Sequence, residues 1–317
     1  MSGGALARVA VDDEGKDAVT AESFRAAVLA AGLLVPGEVD GVYGRSARYE
    51  AVADAVERWS FALGDDEGAE PLRFPPVLAR AAFERTGYLA SFPHLMGSVH
   101  SFDGDDAAHA ALTEAAESGR AWATGLAPTE LMLCSSACHA LYPTCTGTLP
   151  PEGRRFRVTS WCFRHEPSTE LTRMQAFRMT EHVYVGDPEG ADASRRRWLE
   201  RGFEALLALG LPARPEAAND PFFGRTGRFL ARTQRDEELK VEIVVPVHDD
   251  RPPVAVASSN LHRDHFGVTF AITSADGEPA HSTCFGFGVD RLVLALLRHH
   301  GLDAADWPTA VRDRLWP

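Results

Sequence analysis

Apolar residues recur three and four apart in AESFRAAVLAAGLLV (residues 21–35) and SARYEAVADAVERWSFAL (46–63), and this spacing predicts two amphipathic helices. The turn-rich PGEVDGVYG separates them. Residues 1–70 therefore read as a small helical N-terminal cap, and acidic DDEGAEP (65–71) as a surface linker into a main domain, 71–317. From FPPVLARAAFERTGYLASFPHL (74–95) a helix is expected to run into an extended segment at GYLASFP, with Pro93 inside or at the edge of that strand. Alternation or β-branched runs then predict strands at RRFRVTSWCFRHE, FRMTEHVYVG, LKVEIVVPVH, VAVASSN, HFGVTFAIT and STCFGFG. Two long helical patterns interrupt them, ASRRRWLERGFEALLALGL and VDRLVLALLRHHG. Strands mostly adjacent in sequence favour an α+β domain, an antiparallel sheet flanked by helices, over a doubly wound parallel fold.

Composition narrows the class. With 317 residues and 45% hydrophobic content the chain can bury a substantial core. No apolar run approaches the roughly 18–20 residues of a membrane span, and MSGGALARVAVDDEGKD has no apolar secretion segment, so a cytoplasmic location without membrane contact is expected. The 32 Lys+Arg against 45 Asp+Glu, net −13, argue against a broad phosphate-binding surface such as a tRNA-docking domain needs. Five cysteines, Cys134, Cys138, Cys145, Cys162 and Cys284, are an odd number scattered over a large chain and so do not suggest a disulfide framework, which leaves metal or thiolate chemistry beside inert buried thiols.

Two segments carry nucleotide chemistry. Phe163-Arg164-His165-Glu166, a polar loop, then Arg173 to Phe177 would present two arginines, a carboxylate and an aromatic ring from one hairpin. Arginine forks bind phosphate oxygens, a carboxylate accepts from an exocyclic amine, and a phenyl ring stacks on a purine. Either half alone is also the pattern of a salt-bridged surface hairpin. Gly286-Phe-Gly-Val-Asp-Arg291 enters an apolar helix; its glycines permit close backbone approach to a ligand, and Arg291 stands where that helix begins.

In this order, F-R-x-E, R-x-x-x-F and G-F-G-V-D-R resemble motifs 2 and 3 of class II aminoacyl-tRNA synthetases, and the passage ending at Pro93 is similar to their dimer-forming motif 1. The resemblance implies an ATP site with Arg164 on the α-phosphate, Glu166 on the adenine amino group, Phe177 stacked on adenine, and Arg173 and Arg291 on the outer phosphates. Mg²⁺ would accompany the nucleotide. It also implies a homodimer.

Cys138 in SSACHALYP, Glu181 in FRMTEHVYVG and Cys284 in HSTCFGFG lie on three segments that such a fold would gather. Two thiolates and a carboxylate with a vacant fourth position are a catalytic zinc donor set. The set resembles those of methanogen-type seryl-tRNA synthetases and, more closely, of amino acid:carrier-protein ligases, which share segments like Ala137 to Pro143, Asp220 to Arg225, Lys240 to Glu242 and Asp264 to Gly267. Cys134 is the rival ligand to Cys138; Cys145 and Cys162 read as core thiols, and His139, His165, His182 and His262 as neighbours of the site. The resemblance implies activation of a small amino acid, glycine, alanine or similar, as its adenylate, and transfer to the phosphopantetheine thiol of a carrier protein. Arg195, Arg196, Arg197 and Arg201, close together over two helical turns, are the candidate dock for an acidic carrier, and a solvated helix face is the plainer reading. Without a heptad arm or basic domain, tRNA is not the expected acceptor. The alternatives are a minimal seryl-tRNA synthetase-like enzyme with a separate tRNA-binding subunit, and a catalytically silent paralogue with a binding role.

Overall fold

The structure, a computed structural model, describes residues 18–220 and 239–317. Helix α1 (Ala21–Ala30) starts at Thr20, whose hydroxyl accepts from the Ser23 amide, and a hairpin of β1 (Leu34–Pro36) and β2 (Tyr43–Arg45) follows. Ser46 caps α2 (Ala47–Ala62) in the same way. The expected linker is not free chain. Asp65–Glu67 form one tight helical turn whose acids grip a later helix, and β3 (Glu70–Arg73) leaves it directly. The cap shares its core with the main domain: Phe24, Val28, Tyr49 and Val52 belong to the same buried cluster as Leu292, Val293 and Leu296.

Next come β4 (Val77–Ala79), α3 (Arg80–Arg85) and a single turn, α4 (Tyr88–Ser91). The strand expected at GYLASFP is therefore absent. Gly87 at φ +76° opens a turn, Pro93 has no amide to give a ladder, and the Tyr88 and Phe92 rings pack against each other at a tilt of 48° instead, centroids 4.8 Å apart. A helix, a strand and a proline follow one another earlier in the chain, in α2, β3 and Pro75. Strand β5 (Ser98–Ser101), helix α5 (Asp106–Glu117) and β6 (Ala127–Leu133) complete this region, with β4, β6 and β5 forming a small antiparallel sheet.

After the short β7 (Gly147–Thr148), the main sheet is built from β8 (Arg154–Phe163), β9 (Ala176–Gly186), β10 (Arg214–Ala217), β11 (Lys240–Val245), β12 (Val254–Arg263) and β14 (His281–Gly288), with α6 (Pro188–Ala208) between β9 and β10. Among the described residues the strand order is β10-β11-β12-β14-β9-β8-β3, antiparallel throughout except for β3, which runs parallel to β8. HFGVTFAIT does not add a strand to the main sheet. It folds as α7 (His265–Phe270) and a two-residue β13 (Ile272–Thr273), because Phe266 and Phe270 recur four apart and bury on one helix face. Helices α8 (Val289–His300) and α9 (Thr309–Leu315) close the fold. Among the described residues no helix is long and apolar enough to cross a membrane.

The sheet has two working faces. Trp198 of α6 packs beneath it against His182 and Phe285, with ring centroids 3.7 and 6.0 Å away. Side chains alternate along a strand, so the neighbours of those residues, Glu181 and Cys284, point to the other face. That face is the floor of a cavity.

Candidate active site

One cavity is lined by Phe177, Met179 and Glu181 of β9, Cys284, Gly286 and Gly288 of β14, Ser258, Asn260 and His262 of β12, and Lys240 and Glu242 of β11. On β9 and β14 the lining residues recur with period two, so the pleat places them together, whereas β12 lines the cavity along most of its length. Cys138 and His139 enter from the loop after β6, and Arg164, Glu166 and Arg173 from the β8–β9 connection; Arg291 enters from the first turn of α8. All eight residues expected at the site thus share one wall or another of it.

At one end, ligand atoms of Cys138, Glu181 and Cys284 lie within 4.8 Å of one another, and all three residues are buried. Register explains the approach: Glu181 stands opposite Gly286, and Cys284 opposite Asn260. A Cβ on Gly286 would lie 3.2 Å from the Glu181 Cγ, so only glycine leaves that carboxylate undisturbed room. The Oε1 atom of Glu181 accepts from the Ala137 amide at 2.8 Å and from the Ser136 hydroxyl at 3.2 Å, whereas Oε2 is buried without a protein partner. Asn260 Nδ2 lies 3.5 Å and His262 Nε2 3.6 Å from the Cys284 sulfur.

The Cys138 thiol is held well above its ordinary pKa by its bond with Cys284, by burial and by the Glu181 carboxylate. At Cys284 the bond with Cys138 pulls the pKa down, but burial and Glu181 outweigh it. Two thiols, both held above their ordinary pKa, and a buried carboxylate oxygen without a hydrogen-bond partner form a donor set that a divalent cation satisfies at once. The residues present fit a zinc ion.

Cys134 does not join them; its thiol donates to the Ser136 carbonyl at 3.0 Å and interacts with Cys162. His182, on the opposite face, is bonded to the Ser60 carbonyl at 2.8 Å and lies outside the site. His139 lines the cavity, where burial and the charge of Arg164 lower its pKa to about 4. His165 pairs with Gln175 at 3.2 Å.

At the other end, Arg164 sits with its guanidinium 5.5 Å from the Phe177 ring centroid and its Nε donating to the Ser135 carbonyl. Arg291 donates from Nε to the Thr172 carbonyl at 2.9 Å and from Nη1 to the Ala255 carbonyl at 3.1 Å. Burial and the nearby Arg164 lower its pKa, which marks two cations facing one enclosed space. Such a space suits an anion. Glu166 accepts from Arg173 at 3.0 Å, so these two expected nucleotide ligands are joined to each other. Buried Lys240 bridges Asp220 and Glu242. The remainder of the Asp220 to Arg225 segment, from residue 221, lies outside the described residues.

The arginine row on α6 differs from expectation. Arg201 forks onto Asp66 at 2.7 and 2.8 Å, Arg197 bonds Glu67 at 2.8 Å, and Arg196 pairs with Asp192. The acids at 65–67 thus neutralise much of the charge proposed for a dock. Sequence reasoning also missed Asn260 and Asp290 as supports of the site. Asp290 stood inside a quoted motif, and Asn260 sits an even number of residues from Ser258 on a predicted strand.

No family model matches the sequence. Amino acid–acyl-carrier-protein ligases 1 and 2 of Bradyrhizobium diazoefficiens are 44% and 45% identical to it over 280 and 279 residues, 87% of this chain and 85% and 83% of theirs. The type-2 serine–tRNA ligase of Methanopyrus kandleri is 30% identical over 172 residues, which are 50% of this chain and 32% of that one. Among solved structures, M. kandleri SerRS in complex with A. aeolicus tRNASec matches with a TM-score of 0.79 at 22% identity over 96% of this chain. The seryl-tRNA synthetase of Pyrococcus horikoshii complexed with ATP matches with 0.68 at 14% identity over 95%. This chain spans 62% and 63% of those two longer chains, and the likeness establishes the class II synthetase fold alone. With its fold, and with two relatives matched over most of both lengths, the chain belongs to the family of amino acid–acyl-carrier-protein ligases.

Proposed function

We propose that this protein activates a small amino acid with ATP, releasing pyrophosphate, and passes the aminoacyl group from the resulting adenylate to the phosphopantetheine thiol of a carrier protein. One observation carries the reading: the Cys138–Glu181–Cys284 cluster and the paired cations Arg164 and Arg291 open into the same cavity. An amine-binding end and a phosphate-binding end joined by one space are what adenylation of an amino acid requires.

In this reading Arg164 neutralises the α-phosphate as the substrate carboxylate attacks it in line, and Arg291 and Arg173 hold the outer phosphates that leave with Mg²⁺. Phe177 takes the adenine face, and Glu166, once released by Arg173, accepts from the exocyclic amine. Cys138, Glu181 and Cys284 would hold zinc, which would supply a Lewis-acidic anchor for the α-amino group and so select against hydroxy acids that lack one. The sheet face fixes the distance between the two ends, so positioning contributes most of the rate. A cytoplasmic homodimer is part of the same proposal, since the synthetase fold has a dimer-forming motif.

The test is amino-acid-dependent exchange of labelled pyrophosphate into ATP, with metal content measured on the same samples. Wild-type protein should exchange with glycine or alanine, and Cys284→Ala should lose both metal and exchange, the latter by at least about a hundredfold, as expected on removal of a ligand that orients substrate. No exchange with any small amino acid in zinc-replete protein would sink the proposal.

A further inference from the structure

The β1–β2 hairpin lies outside the cavity, yet it holds two of its walls. Arg45, the last residue of β2, has a side chain only 11% exposed. Its Nη2 donates to the Ala176 carbonyl at 2.9 Å and approaches the Met174 sulfur at 3.5 Å; its Nε donates to Asp290 Oδ1 at 3.1 Å. Ala176 immediately precedes Phe177, and Asp290 immediately precedes Arg291. One guanidinium therefore ties the backbone beside the aromatic ring to the carboxylate beside the phosphate-facing arginine.

Other bonds converge on the same two segments. Asp290 also accepts from Tyr49 Oη at 3.2 Å and from the Arg178 amide at 2.7 Å. Gln175 donates from its amide to the Gly41 carbonyl at 2.9 Å and from Nε2 to the Asp40 carbonyl at 2.8 Å, and Tyr43 Oη reaches the Thr169 carbonyl. Trp161 lies against the guanidinium of Arg45, 4.6 Å from its ring centroid, which fixes the plane of the fork. By contrast, the Cys138–Glu181–Cys284 end is supported by Ser136, Ala137, Asn260 and His262. The two halves of the cavity have separate braces.

We infer that the β1–β2 hairpin is a positioning device for the nucleotide half of the site, with Arg45 the positioning residue that sets Phe177 and Arg291 relative to each other. Arg45 touches no reacting atom; it acts through Ala176 and Asp290. Its planar fork matters because a carbonyl and a carboxylate on different elements must be held at once, which a lysine ammonium cannot do with the same geometry. The inference rests on the adenylation reading for its choice of ligand.

Pyrophosphate exchange by the full-length, metal-loaded protein tests it, read as separate KM values for ATP and amino acid. Arg45→Ala should raise the ATP KM about tenfold and leave the amino-acid KM within about twofold, since only ground-state nucleotide contacts are misplaced. Arg45→Lys should fall between it and wild type, and Tyr49→Phe, which removes the hydroxyl that donates to Asp290, should give a smaller ATP-specific rise. A general packing role would instead lower the active fraction with both KM values unchanged, or raise both together, and either result overturns the inference. Should Arg45→Ala fail to fold, Arg45→Lys and Tyr49→Phe decide: an unchanged ATP KM in both overturns it. Calorimetric binding of a non-hydrolysable ATP analogue gives the same comparison without turnover. Absence of exchange in the wild type would count against the functional reading, while analogue affinity in the variants would still judge the hairpin.

Discussion

The C-terminal end of α8 sets a preference and a cost against each other at His299. A helix C-terminus favours a charged imidazole. Here burial, aided by the Arg298 charge, lowers the pKa despite the bond between its Nε2 and the Pro246 carbonyl at 2.8 Å. The folded state therefore resists the proton that the unfolded chain accepts as pH falls below about 6.5, and His299 contributes stability that is present above that value and is lost as pH falls through its lowered folded pKa. Between pH 7.5 and pH 5.5 the urea midpoint should drop less in His299→Gln than in wild type, because the amide can still donate to Pro246 but cannot protonate. Equal drops would show that another group carries the effect. The same scale explains what the sequence could tell about the site. That Cys138, Glu181 and Cys284 would be gathered was legible because thiols and carboxylates able to ligate a metal are few and each of the three sits in a distinctive flank. Arg45 was not, since 245 residues separate it from Asp290 and nothing in its own segment marks a buried fork.

At the scale of elements, the strands that carry the site were legible from alternation, and the failures had local causes. β-Branched residues in HFGVTFAIT imitated a strand, while the four-residue spacing of Phe266 and Phe270 decided for a helix. The same period-two rule that located the cavity floor would have excluded His182, which must face away from Glu181. What alternation cannot give is how closely a helix approaches the sheet. A Cβ on Gly202 of α6 would lie 2.2 Å from Phe285 Cζ, a contact no side chain can make without movement. Gly202→Ala should therefore destabilise the protein by about 1–3 kcal/mol of overpacking, offset in part by about 1 kcal/mol of helix propensity. Adding Phe285→Leu to Gly202→Ala should recover part of the loss, a coupling that a double-mutant cycle in urea measures. Additive effects would mean that α6 shifts as a whole and that the contact is not specific.

The whole molecule raises a question of partners that neither residues nor elements answer. Its net charge is −13, and the one arginine row that looked able to receive an acidic carrier is engaged by Asp66, Glu67 and Asp192. Long-range encounter with an acidic carrier would then be repulsive, and salt with a screening length of about 8 Å at physiological strength should relieve it. Nucleic acid recognition has the opposite signature, an affinity that falls steeply as salt displaces bound lysines and arginines from phosphates. The two acceptors can be told apart in one experiment, with ATP, the activated amino acid and either a phosphopantetheinylated carrier or tRNA. The carrier should gain one aminoacyl group as a hydroxylamine-labile thioester, apo-carrier without the arm should gain none, and tRNA should remain uncharged. Raising salt from about 50 to 200 mM should lower the KM for the carrier, because like charge governs the approach. A KM that rises with salt would instead reveal a basic dock that opens by releasing the arginines of α6 from residues 65–67, and charging of tRNA would move the protein to the synthetase branch of its fold.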